Sequence, residues 1–168
     1  IAMYGGGGQG NHLNGSYAGA LRAALGTKYM YTALAQEKTG GFWLDGRLFG
    51  KQQCHAAEDV HHADFLMVIG ANPWQSHGFP RARTVLQENS KDPKRTLVVI
   101  DPIRTETAEM ADYHLQVRPG GDAHLLLAML GYLVQENLVN QSFIDAHCAE
   151  YKELRKVLAG IPVDDYCH

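Results

Sequence analysis

Two uninterrupted apolar runs organise the chain. Phe65-Leu66-Met67-Val68-Ile69 is closed by Gly70 and then Asn72-Pro73, and Thr96-Leu97-Val98-Val99-Ile100 is closed by Asp101-Pro102. Their five-residue length, β-branched content and terminating turn residues predict buried parallel strands rather than helices. Between them, residues 81–89 read as a helix and residues 90–93 (Ser-Lys-Asp-Pro) as its exit loop. A strand, helix, strand order requires a crossover connection, so the sheet is parallel and its crossovers right-handed.

The remaining pattern extends this unit in both directions. Residues 1–4 predict a first strand, and residues 14–25 a helix with alanine and leucine on its buried face, stopped by Gly26. Residues 113–117 alternate enough for a further short strand. Residues 122–136 carry the strongest helical signal, with Leu125, Leu126, Met129, Leu130, Leu133 and Val134 at helical spacing. Asp122 stands at its start, where a side-chain oxygen can cap free amides. Shorter helices are predicted at 141–147, after Asn140, and at 151–158, before Gly160; the glycine-rich region 39–56 has no assignable pattern. The fold class is α/β, a single domain over 1–168 built as a three-layer open parallel, Rossmann-like sheet with helices on both faces.

Charge and composition narrow the function classes. Fifteen basic and 18 acidic residues give a net charge of -3, so no basic surface points to nucleic acid or an anionic membrane. No apolar run approaches the roughly 18 residues of a membrane span. Three cysteines, Cys54, Cys148 and Cys167, are scattered and odd in number, which predicts a reducing compartment and hence a cytoplasmic protein. The chain starts at Ile1 without a signal-peptide pattern, and is expected to be cut at its front from a longer one.

In an open parallel sheet, ligands bind beyond the carboxyl ends of the strands. The first apolar run leads into Gly70-Ala71-Asn72-Pro73-Trp74-Gln75-Ser76-His77: a glycine for close approach, and Asn72 and Ser76 to bond hydroxyls or phosphate. Trp74 and His77 are placed to stack on or bond a ligand, although Trp74 could equally plug the sheet edge. The second run leads into Asp101-Pro102, whose carboxylate can accept from ribose hydroxyls or a base's N–H groups. The third leads into Pro119-Gly120-Gly121-Asp122 at a helix start, where free amides favour an anion. Each loop taken singly is also a serviceable turn or cap.

Taken in order, segments 65–73, 98–112 (Val-Val-Ile-Asp-Pro-Ile-Arg-Thr-Glu-Thr-Ala-Glu-Met-Ala-Asp) and 117–127 closely resemble the molybdopterin oxidoreductase family of formate dehydrogenases, nitrate reductases and dimethyl sulfoxide reductase. The likeness covers nearly the whole chain and continues through 133–147. It implies binding of molybdopterin guanine dinucleotide, with molybdenum or tungsten, by Gly70, Asn72, Ser76, Asp101, Pro102, Gly120 and Asp122. Ile103 departs from the family pattern, which has arginine after Asp-Pro; Arg104 follows one place later, and isoleucine cannot pair with phosphate as a guanidinium does. The stretch Gly5-Gly6-Gly7-Gly8-Gln9-Gly10-Asn11 resembles the family's lead into its first helix, and reads either as an anion-binding nest or as a flexible loop.

The resemblance leaves the protein metal ligand open. Alignment on Gly26-Thr27 puts Glu37 near the family's ligand position; a carboxylate suits a hard, high-valent metal, and an ordinary Glu37-Lys38 surface pair is the other reading. Cys54, His55, His61 and His62 fit no common zinc spacing and are read as structural or surface residues. The family's amino-terminal iron–sulfur domain and carboxyl-terminal barrel have no counterpart in these residues. A catalytically incompetent portion of a larger enzyme is therefore expected, working with other domains of the same polypeptide and with electron-transfer subunits. Two further readings stand beside it: a non-catalytic binding or assembly module of the same fold, and a doubly wound domain of an unrelated enzyme such as a thiamine-diphosphate enzyme.

Overall fold

The computed structural model describes residues 1–5, 13–52, 54 and 58–166. These fall into two compact units, residues 1–57 and 58–168. In the first, β1 (Met3–Tyr4) pairs in parallel with β2 (Met30–Tyr31). The connection contains α1 (Leu13–Ala24), which stops where Gly26 turns left-handed at φ 61°. α2 (Leu34–Glu37) and α3 (Thr39–Phe49) follow, and Gly50, also left-handed, ends α3. The region that showed no pattern is thus largely helical. The expected buried face of α1 is not realised: Leu21 is 53% exposed and Leu25 is exposed as well. A unit this small has too little interior to bury every apolar face.

The second unit carries the sheet. β3 (Phe65–Ile69), β4 (Thr96–Ile100) and β5 (Tyr113–Leu115) lie parallel, in the order β3-β4-β5. Register pairs Ile69 with Ile100 and Ile100 with Leu115, so all three strands end level. The chain between β3 and β4 forms α4 (Pro73–Ser76) and α5 (Ala82–Asn89), and α6 (Glu106–Glu109) links β4 to β5.

α5 buries Ala82, Val85, Leu86 and Asn89, the i, i+3, i+4, i+7 stripe that presents one helical face to a sheet. That face packs with Val68, Leu97 and Val99, and Ala108 of α6 joins them. Leu86 and Leu97 are fully buried, and each contributes roughly 1.5–3 kcal/mol by leaving water. Beyond β5, α7 (Asp122–Gln135) packs against α9 (Tyr151–Ala159) and α10 (Val163–Tyr166), with α8 (Gln141–His147) between them in sequence. α7 buries Ala128, Gly131 and Val134, whereas Leu126, Leu130 and Leu133 stay exposed. Small residues form the contact because Ile161 sits against Gly131 closely enough to leave no room for a methyl group. Asp122 is the first residue of α7, but Gly121 occupies the cap position and no side chain caps the helix.

Candidate functional site

Because β3, β4 and β5 end level, the loops that leave them open on one sheet edge. Backbone bonds stitch these loops together: the Gly70 amide donates to Ile100 O (2.8 Å) and the Asp101 amide to Leu115 O (3.1 Å). Gly70 adopts φ 58° and Gly120 φ 86°, conformations that favour glycine. A Cβ at either would meet nothing within 4 Å, so both backbones border open space.

Asp101 is the buried charge of this edge, 8% exposed at the end of the central strand. Its Oδ1 accepts from the Ile103 amide at 2.9 Å, an Asx turn that shapes the Asp-Pro-Ile-Arg corner. Its backbone carbonyl takes a bond from His114 Nε2 (3.0 Å), and Pro102 O accepts from Gln116 Nε2 (3.2 Å), which ties the corner to β5 and the segment after it. Isoleucine at position 103 leaves its side chain 66% exposed beside this corner. Beyond β5, residues 116–121 lead to the start of α7. There the His124 and Leu125 amides return to Gly121 O, while those of Asp122 and Ala123 belong to the first turn, which has no helical acceptor.

The loop after β3 is held by side chains. Asn72 caps α4, yet its carboxamide makes no local capping bond. Instead Nδ2 donates to Glu106 Oε2 (2.8 Å), and Oδ1 accepts from the Thr107 hydroxyl (2.7 Å). Thr107 is fully buried and also accepts from the Trp74 amide (3.2 Å). Gln75 Nε2 donates to the other oxygen of Glu106 (2.7 Å). The Ser76 hydroxyl donates to Asn72 O (3.0 Å). Arg83 Nε donates to Trp74 O (2.9 Å), and its guanidinium lies 5.3 Å from the centre of the Trp74 ring. The amides of Gln75 and Asn72, in that order, hold the Glu106 carboxyl below its ordinary value. Its own backbone amide and the Arg83 cation add to this, against the opposing effect of burial.

The structure therefore brings Gly70, Asn72, Ser76, Asp101 and Pro102 to one edge, with the strand leading to Gly120 and Asp122 ending at the same level. Sequence reasoning had assigned no role to Glu106, Thr107, Gln75 or Arg83. The available signal was an acidic residue in the first turn of a helix directly after a strand-end loop, opposite an Asn-Pro turn. Glu37 closes α2, and its side chain lies outside the described residues, as do residues 6–11 of the glycine stretch and His55. Among the described residues no group of three or more His, Cys, Asp or Glu could hold a metal. His62 instead bonds Asp59 on the surface (2.7 Å). No helix of the described residues is long and apolar enough to cross a membrane.

The fold is of the open parallel α/β class, with glycines, a buried carboxylate and a helix start following its three strand ends. A profile described as molybdopterin oxidoreductase matches residues 8–155, and the chain belongs to that family. It is 37% identical over 114 residues to F420-dependent formate dehydrogenase 1 subunit alpha of Methanococcus maripaludis, covering 67% of this chain and 16% of that protein. It is 39% identical over 92 residues to a nitrate reductase of Shewanella frigidimarina, covering 54% of this chain and 9% of that protein. Among solved structures, acetylene hydratase from Pelobacter acetylenicus matches with a TM-score of 0.68 and 26% identity, covering 89% of this chain and 20% of that one. The chain thus spans a small part of the relatives it matches. Membership sets aside the thiamine-diphosphate alternative, and a molybdopterin cofactor with molybdenum or tungsten is the group its family implies.

Proposed function

We propose that this chain grips the guanine nucleotide end of a molybdopterin guanine dinucleotide, as one part of a larger, formate dehydrogenase-like or nitrate reductase-like oxidoreductase. The observation that carries the reading is the level ending of β3, β4 and β5, which gathers three loops of suitable chemistry along one rim. Asp101 is the anchor: one oxygen is spent on the Ile103 amide, and no described residue donates to Oδ2. A ribose hydroxyl, or the ring and amino N–H groups of guanine, supplies a matching donor. Gly70 and Gly120 admit the ligand to the backbone, and Pro102 stiffens the corner beside Asp101. Asn72 keeps a second N–H, and Ser76 keeps its acceptor lone pairs. The first-turn amides at Asp122 suit a diphosphate oxygen, and Arg104 is the cation placed nearest to where the family has arginine.

When bound, the cofactor's dithiolenes carry the metal, which supplies oxygen-atom or hydride-type redox chemistry; this chain's residues bind and orient it. The chain alone is catalytically incompetent in this reading, because the rest of the enzyme, including an iron–sulfur domain, completes the active site. Glu37 is the candidate protein ligand to the metal. Fold does not fix the reaction: one structural neighbour is named for a hydration, whereas the sequence relatives are named for formate and nitrate.

Calorimetric titration of GDP into the chain tests the reading. One saturable site is expected, with GDP preferred over ADP. Asp101→Asn keeps the turn acceptor but loses the charge, and is expected to weaken GDP by roughly tenfold, the order of one hydrogen bond to a charged group. Equal affinity of the variant, or no binding to the unaltered chain, contradicts it.

A further inference from the structure

We propose that Glu106 is a positioning residue for nucleotide binding: from the first turn of α6 it orients the side-chain amides of Asn72 and Gln75, and so presets the loop after β3. The inference rests on the reading that residues 70–77 face the guanine nucleotide.

An asparagine at a helix N-cap ordinarily turns its oxygen onto the helix's own amides. Asn72 does not; it forgoes that bond and reaches 34 residues along the sequence to Glu106. Its two ends are told apart by chemistry. An ionised carboxylate only accepts, so Glu106 must face the NH2 end; Thr107, whose hydroxyl already accepts from the Trp74 amide, donates to the oxygen. The carboxamide of Asn72 therefore has one orientation, and Gln75 is oriented in the same sense by the second carboxylate oxygen. Arg83, reaching from α5, holds the Trp74 carbonyl and adds a cation facing the carboxylate. The result is a loop whose donors are fixed before a ligand arrives, which lowers the ordering cost of binding. Glu106 itself has both oxygens engaged, and acts on a ligand only through the amides it holds.

The test uses the unaltered chain and Glu106→Gln. A neutral amide at 106 can accept through one end only and faces Gln75 and Asn72 with N–H at the other. In the unaltered chain, the side-chain amide NMR signals of Asn72 and Gln75 are expected to titrate together, with one midpoint below the ordinary carboxylate range. In Glu106→Gln that titration is expected to vanish and GDP to bind roughly tenfold more weakly, the order of one lost charge-assisted hydrogen bond, with the cooperative thermal transition retained. Independent titration of the two amides, or unchanged GDP affinity in the variant, overturns the proposal and leaves the nucleotide reading intact. Should the unaltered chain bind no GDP, the reading itself fails and the proposal falls with it. Should Glu106→Gln fail to fold, Gln75→Ala replaces it: weaker GDP binding supports the proposal, and unchanged binding overturns it.

Discussion

Glu106 shows how one carboxylate can organise a loop that its neighbours in sequence do not. Its ionised form takes hydrogen bonds from Gln75 and Asn72 in the folded chain, and its carboxyl is held below the ordinary value of 4.5. A group whose folded value is depressed stabilises the fold above its unfolded value, and that stabilisation is lost as pH falls through the folded value. Melting curves from neutral pH into the acid range are therefore expected to show the unaltered chain losing its advantage over Glu106→Gln as Glu106 protonates. A gap between the two that stays constant across that range contradicts the assignment. The identity of this residue was not legible from its neighbours. Thr105-Glu106-Thr107-Ala108 reads as a helix start, and Thr105 does cap α6 by accepting from the Ala108 amide. Nothing in that tetrapeptide announces a partner 34 residues earlier.

The elements follow hydrophobic periodicity where burial is two-sided or strongly one-sided. β3 and β4 have the boundaries their apolar runs predict, but only β4 is the buried strand expected: Leu97 to Ile100 are all buried and need no alternation, whereas β3 buries Val68 alone and leaves Phe65 and Ile69 exposed. α5 and α7 were legible as helices, but the spacing of large apolar residues in α7 did not mark which of them make its contact. The leucines at 126, 130 and 133 are exposed, and Gly131 and Ala128 make the contact. Periodicity weights large residues, whereas close helix packing selects small ones, so the buried stripe carried little signal. This difference predicts opposite outcomes for one substitution. Gly131→Ala puts a methyl group 2.9 Å from Ile161 Cβ and is expected to destabilise by about 1–3 kcal/mol. Gly19→Ala, in the exposed α1 where a Cβ meets nothing within 4 Å, is expected to stabilise its helix by up to about 1 kcal/mol. Chemical denaturation measures both; the same sign for the two contradicts the packing account.

At the scale of the molecule, the shared edge of the three loops was legible because three turn signals follow three strands, and parallel pairing makes the strands end level. What could not be read was how the turns are held: Asn72 reaches Glu106 at the start of α6, Asp101 is bonded by His114 of β5, and Pro102 by Gln116 just after β5, all across 13 or more residues of sequence. The central claim is one of location, that a guanine nucleotide lies along the carboxyl ends of β3, β4 and β5. The most direct measurement is the map of backbone amide shifts when GDP is added to the isotope-labelled chain. Perturbations are predicted to concentrate at 70–76, 101–104 and 116–123. A map centred instead on the opposite end of the sheet, where Ser90, Asp92, Arg95 and Tyr113 line an open cavity, contradicts the account.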